Sequence, residues 1–483
     1  MNQFKRGAIF GALALGTVAL GSCVTNPATG EVQLILLSER QEIELGREGA
    51  QSVEASIGVY DDQELEAYIE GIGQALAESS ERPDLPWSFK VMDDGVVNAF
   101  ALPGGFIYVT RGILGHFSSE AELAGVLGHE IGHVTARHSA ERLSKQQLTQ
   151  IGLGVGSVFS PTVARFGGII NTGLAIAFLK FSRDDERQAD ELGYRYMRRD
   201  DYDPTALVAV FTMLGRVTEA AGGRGVPGWL ATHPDPGERV ERAERRIAED
   251  PVPAGGVLGR DRYLEKIDGL VFGEDPRQGF FRGNLFLHPD LEFRFTFPVG
   301  WQTVNTARAV AGISPNEDAI IQLTLGQGSS AEVAAREFFS QEGVRSQRIK
   351  RQAINGHPAT WGYFSLTSQD GTLSGVTAFV EFDGIVYQLL GYTSQAISAY
   401  DEIFRTSVGS FDRLTDPAAL EVQPKKIALV KLDRAQTLEE FDRRYPSTIS
   451  LEALAIINGV AERGTIPVGT TMKRVVGGPE ENN

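Results

Sequence analysis

Between residues 120 and 142 the apolar positions Leu123, Val126, Leu127, Ile131 and Val134 recur at three- and four-residue steps, the repeat of one helix face. Glu120 and Glu122 open the segment, Arg137 and Arg142 stand near its end, and Ser118 or Ser119 occupies the capping position. The spacing therefore predicts a helix whose charges oppose its own dipole. Helical periods also run through Glu39–Gly46 and Leu65–Leu76, and through Thr205–Ala221 after the Asp203-Pro204 start. Phe89–Met92 and Phe106–Thr110 alternate like short strands, with turns at Gly95 and Gly104-Gly105. Past residue 279 the period changes. Phe293-Arg294-Phe295-Thr296-Phe297 alternates strictly up to Pro298, and Ile320–Leu325, Ala359–Thr367, Gly375–Phe382 and Ile385–Tyr392 read as further strands, with Asp383-Gly384 as a two-residue hairpin turn. Helices over Ser330–Glu342 and Ala396–Val408 complete an α+β pattern. A Pro-containing linker, 416–424, leads to a strand (427–432), two helices (437–445 and 450–458) and a last strand (469–475). A length of 483 residues suits about three domains, with expected bounds 23–275, 279–416 and 425–475.

The helix over 120–142 carries His129-Glu130-Ile131-Gly132-His133. Two imidazoles four residues apart share one helix face and can bind one tetrahedral Zn²⁺. Glu130, beside the first ligand, can take a proton from the attacking water and return it to the leaving amine. The pattern predicts metal-assisted peptide hydrolysis. A third ligand is needed. His138 fails, because the metzincin spacing would place Gly at 136 and His at 139, where Ala136 and Ser139 stand. His138 is expected instead as a surface or helix-terminal histidine favoured by the dipole. The acidic helix start Ser182-Arg183-Asp184-Asp185-Glu186-Arg187-Gln188-Ala189-Asp190 offers an alternative. Glu186 and Asp190 share a face there, so one can bind zinc while the other accepts the N–H of a ligand histidine.

These two motifs, in this order, resemble the HtpX- and BepA-like zinc metallopeptidases, a gluzincin family related to the CAAX prenyl endopeptidases. The resemblance implies His129, His133 and Glu186 as zinc ligands, Glu130 as general base and Asp190 as the partner of a ligand histidine. Asn98-Ala99-Phe100-Ala101-Leu102 resembles the family's edge strand, whose backbone would hold an extended substrate. Thr232-His233-Pro234 with Arg239 resembles a BepA-like loop, which implies His233 as a fourth ligand plugging the site and Arg239 as a transition-state or plug partner. The Gly-rich stretch 222–228 would hinge that plug. The fold expected is a mainly α zincin-type metallopeptidase domain with a small sheet, then an α+β domain similar to PsbP through Phe295 to Trp301, then a small module that resembles LysM through Thr437-Leu438 and Ile457-Asn458-Gly459, or else is a packing domain without ligand. One Zn²⁺ per chain is implied.

The chain's address changes the picture further. Lys5 and Arg6, the apolar run Gly7–Leu20 and Leu20-Gly21-Ser22-Cys23 read as a lipoprotein leader over 1–22 with Cys23 as the acylated residue. Val24 rather than Asp after the cysteine, by resemblance to lipoprotein sorting, implies the outer membrane and a periplasmic body. Lipid on the chain's single Cys leaves none for disulfides. Without residues 1–22, which hold two cations, the formal charge falls from −17 to −19, which argues against nucleic acid as a partner. The Gly-rich apolar stretch 151–181 is interrupted by Ser157, Pro161, Arg165 and Asn171, short of the ~20 apolar residues of a membrane span; an amphipathic hairpin over the site is expected, or else a buried core helix pair. The function expected is a lipid-anchored zinc endopeptidase of misfolded or stalled envelope proteins. The alternatives are a largely non-proteolytic assembly factor for outer-membrane proteins, or a hydrolase held to peptidoglycan through 425–475.

Overall fold

Ser119 ends an extended segment, and its Oγ accepts from Glu122 N. The helix it caps runs Glu120–Thr135 in the computed structural model of the chain, and every one of its residues is buried. Described are residues 23–153, 180–220, 228–233, 236–251, 256–368 and 371–478. The leader 1–22, most of the expected hairpin 151–181 and the hinge up to residue 227 lie outside them.

The helix stops seven residues before the predicted end. Arg137 takes φ 58°, a left-handed conformation uncommon for such a side chain, and a second helix, His138–Leu153, begins at once. Arg137 is held in place by Glu42, 2.9 Å away, and by a 3.0 Å bond to Leu37 O. Periodicity could not reveal this break, because Ala and Arg are good helix formers and the force that wins is a tertiary ion pair.

Helix Arg183–Arg199 is capped by Ser182 and packs along the first helix. The two approach unusually closely because small residues face each other. A Cβ on Gly193 would lie 2.9 Å from His129 N, and one on Gly132 would lie 3.1 Å from Ala189 Cα. This notch is what brings Glu186 to the two histidines. Beside the pair, strand Phe106–Thr110 runs parallel to Ser88–Met92 and antiparallel to Ala99–Leu102, which forms one edge of this three-stranded sheet. Helices Glu39–Ile57, Gln63–Glu78 and Ala206–Ala220 complete a mainly helical domain around one apolar core.

A sheet-rich domain follows. Seven antiparallel strands lie in the order Val344–Arg351, Ala359–Ser368, Gly371–Phe382, Ile385–Thr393, Ala319–Leu325, Ala309–Ile313, Gln302–Asn305. Asp383 (φ 47°) and Gly384 (φ 80°) make the predicted hairpin turn. A four-stranded sheet centred on Phe293–Thr296 and Leu285–His288 packs Phe286, Phe293, Phe295 and Phe297 against Tyr387 and Phe411. Val344–Arg351 was missed as a strand because its side chains are nearly all exposed and polar, leaving no alternation to read.

The last segment has strand Lys426–Lys431 antiparallel to Thr471–Val476, with helices Leu438–Arg444 and Leu451–Asn458 between. It is not a free appendage. Ile427 and Ile456 belong to the core of the helical domain, Gly269 and Ile427 exchange backbone bonds with Ile427 and Leu270, and the buried Lys473 Nζ donates to Gly115 O and Phe117 O.

Candidate metal centre

One turn of helix separates His129 from His133, and their Nε2 atoms stand 3.0 Å apart. From the neighbouring helix Glu186 brings Oε1 to 3.5 Å from His133 Nε2 and Oε2 to 3.6 Å from His129 Nε2. His233, just past the short helix Gly228–Thr232, adds Nδ1 at 3.3 Å from His129 Nε2 and 2.9 Å from Glu186 Oε1. All four residues are buried and present ligand atoms to a common centre. A tetrahedral ion with ligands at about 2.0–2.1 Å has ligand–ligand edges of about 3.3 Å. The observed separations bracket that value, so this donor set fits a metal ion. Imidazole lone pairs facing one another across 3 Å repel unless a proton or cation lies between.

The protonation states suit ligation. Burial, then the Arg239 charge, push His129 down to about 3, so its ring is neutral. Burial alone would raise Glu186, but the neighbouring imidazoles, above all His233 at 2.9 Å, outweigh it and hold the carboxyl well below the usual range. Asp190 behaves alike: Arg239 and His129 outweigh its burial and keep it ionised. Asp190 Oδ1 lies 3.0 Å from His129 Nδ1. It accepts that N–H and leaves Nε2 free for the metal. Arg239 grips Asp190 through Nη2 at 2.6 Å and Nε at 3.1 Å; its 3.2 Å approach to His129 Nδ1 joins two donors and is no hydrogen bond. Its Nη1 has no hydrogen-bond partner. The guanidinium lies over the Phe211 ring at 4.1 Å.

Glu130 is fully buried, and neither carboxylate oxygen has a hydrogen-bond partner. Desolvation pushes it up to about 7. His233 Nε2 is 3.6 Å from its Oε1, so the histidine lies between the ligand cluster and the candidate base. Such a carboxylate is poised to exchange protons near neutral pH.

The structure corrects one expectation outright. His138 is neither a surface residue nor at the end of the first helix. It opens the next helix, fully buried, with Nδ1 2.9 Å from His133 Nδ1 and Nε2 3.1 Å from Gln188 Oε1. Two aromatic neighbours escaped the sequence reading. Phe181 stacks on His133 with ring centres 4.0 Å apart, and Trp229 stacks on His233 at 4.4 Å. The signal for Trp229 was its position four residues before His233, on the short helix that leads into it; Phe181 carried no comparable signal.

Asn98, Ala99 and Phe100 lie at the start of the edge strand and are buried. Trp229 N donates to Val97 O at 3.1 Å, so the short helix before His233 covers the strand's entrance. Cys23 begins a two-stranded pairing, Cys23–Thr25 with Val32–Leu34. No helix among the described residues is long and apolar enough to cross a membrane.

Residues 63–247 match the profile of Peptidase family M48. The chain is similar to the mitochondrial metalloendopeptidase OMA1 of Arabidopsis thaliana, 36% identical over 195 residues, which are 40% of this chain and 38% of that protein. It is also similar to the beta-barrel assembly-enhancing protease of Escherichia coli, 28% identical over 280 residues, 55% of this chain and 57% of that one. The chain thus spans 38% of the length of the first of these relatives and 57% of the second. The solution structure of a cyanobacterial PsbP from Synechocystis shares 13% identity, covers 28% of this chain and 94% of its own, and superposes with a TM-score of 0.23.

Proposed function

We propose, from the premise that residues 63–247 belong to peptidase family M48, that this chain is a zinc-dependent endopeptidase of the bacterial cell envelope that clears misfolded or stalled envelope proteins. The observation carrying the reading is four buried ligand groups within 2.9–3.6 Å of their neighbours beside a buried carboxylate that accepts no hydrogen bond. Zinc, when held by His129, His133 and Glu186, supplies the polarisation of the scissile carbonyl. Glu130 takes the proton from the attacking water and hands it to the departing amine. Asp190 keeps His129 in the tautomer that offers Nε2. Arg239 holds Asp190, and its Nη1, which makes no hydrogen bond and stands 3.5 Å from Glu186 Oε2, faces the charge that develops on the carbonyl oxygen. The edge strand around Asn98, Ala99 and Phe100 holds the substrate backbone extended, which selects exposed, unfolded chain over side-chain identity.

His233 is the plug in this reading. It takes the fourth place in the ligand cluster, and the helix that carries it covers the edge strand. Replacing it opens both. His233→Ala is expected to cleave an unfolded protein such as casein about tenfold faster than wild type, with metal retained by the remaining three ligands. Slower cleavage with metal content unchanged would make His233 a working part of the site and end the plug reading.

The envelope setting rests on the leader at 1–22, lipidation of Cys23 and the likeness to the Escherichia coli protease; lipid at Cys23 tethers the body on the periplasmic side, at the outer membrane. The domain over 279–416 is proposed to be PsbP-like and that over 425–475 LysM-like, with peptidoglycan as its partner. The second reading, an assembly factor with a mostly silent protease, is favoured by the occupied fourth place at the site. It predicts that Glu130→Gln complements loss of the protein fully.

A further inference from the structure

A carboxylate can only accept hydrogen bonds, and this fixes the direction of a line of four residues that ends at the metal centre. Glu31 Oε2 lies 2.7 Å from Gln188 Nε2. The Gln188 amide therefore donates there and turns its Oε1 to His138 Nε2, 3.1 Å away. An amide oxygen only accepts, so His138 carries its hydrogen on Nε2 and a lone pair on Nδ1. His133 Nδ1, 2.9 Å from that lone pair, must then carry a hydrogen, and His133 Nε2 is left as the metal donor. On the other side of the centre Asp190 does the same for His129 in one step. Here the carboxylate is three steps away, and each step belongs to a different element.

The backbone is shaped for this line. On a continued helix His138 would point away from His133. The left-handed Arg137 turns the chain so that His138 faces back. A non-glycine residue in that conformation is strained and persists where its surroundings fix it, here Glu42 and Leu37. Glu31 is also placed. Asn26 Nδ2 and Gln33 Nε2 both donate to Ala136 O at 3.1 Å, closing the end of the first helix, and Arg195 donates to Ala28 O.

We propose that His138, Gln188 and Glu31 are positioning residues that hold His133 in its metal-binding tautomer, so that residues 26–33, close behind Cys23, belong to the metal centre. This rests on the reading of His129, His133 and Glu186 as ligands. The test is zinc affinity by competition with a chelator, with the melting temperature of the metal-free full chain measured alongside. His138→Ala is expected to bind zinc about 10–100-fold more weakly, Gln188→Leu and Glu31→Gln progressively less so. His138→Asn, whose amide can accept from His133 and donate to Gln188, restores most of the loss. Long-range ¹H–¹⁵N spectra should show His138 protonated on Nε2. Should His138→Ala fail to fold, the half-buried Gln188→Leu carries the same readout. Zinc affinity within twofold of wild type in the folded variants, or His138 protonated on Nδ1, overturns the proposal. A wild-type chain that binds no zinc overturns instead the ligand assignment on which it stands.

Discussion

Glu130→Gln loses about 10²–10⁴-fold of its peptide cleavage, the span that removal of a positioned proton carrier produces, while its zinc content stays at the wild-type level. Glu130 is no ligand: the four converging groups are His129, His133, Glu186 and His233, and Glu130 stands beside them with no hydrogen bond to either oxygen and His233 Nε2 3.6 Å from Oε1. A second consequence separates a base from a structural residue. Burial raises the folded-state pKa of Glu130 from 4.5 to about 7. The metal-free folded chain then binds more protons than the unfolded chain across that window, and its stability falls as pH rises through it. Glutamine cannot ionise. The metal-free Glu130→Gln chain should therefore be more stable than wild type at pH 8, by on the order of 3 kcal/mol, and no more stable at pH 4. Calorimetry at the two pH values reads the difference. Equal melting temperatures at pH 8, or zinc lost with the substitution, would remove Glu130 from the role of an unpaired buried base.

Removing residues 425–483 should unfold the helical domain and not merely shorten the chain. Ile427 and Ile456 would leave its core, Arg216 and Arg260 would lose their bonds to Val460 O and Thr471 O, and the carbonyls of Gly115 and Phe117 would lose the Lys473 ammonium. Lys473→Met isolates the last of these at nearly constant volume. Two buried carbonyls without a donor cost about 1–3 kcal/mol each, so the melting temperature should drop by roughly 5 °C or more. The substitution also acts on the catalytic helix, because Gly115 and Phe117 directly precede the Ser118-Ser119 start, where Ser118 N and Ser119 Oγ both bond the buried Glu122. An unchanged melting temperature, or a truncated protein that still folds and cleaves, would show the segment to be a separate module. Capture on peptidoglycan must accordingly be measured with the full chain, comparing surface substitutions in 425–475 and not the deletion.

The sequence exposed those parts of the molecule in which a local pattern and its purpose coincide. The five residues from His129 to His133 carry their spacing with them, and Ser182 with Glu186 and Asp190 announces a capped helix with two carboxylates on one face. Strict alternation likewise marked Phe293–Phe297, where one face of a strand is buried. What stayed hidden depends on contacts between distant segments. The break at Arg137 is made by Glu42, ninety-five residues away. The environment of His138 is assembled from Gln188 and Phe181, and the fit of the last segment from Ile427, Ile456, two arginines and a lysine aimed at two carbonyls. The edge strand was named through the resemblance and not through any alternation of its own, and its cover stayed hidden, since the helix Gly228–Thr232 is too short to show a period.

The most direct test of the metal centre is anomalous diffraction at the zinc absorption edge from crystals of the chain incubated with one equivalent of zinc. The account predicts one peak, about 2.0–2.2 Å from His129 Nε2, His133 Nε2 and a carboxylate oxygen of Glu186. A peak elsewhere in the molecule, or none at full incubation, would contradict it.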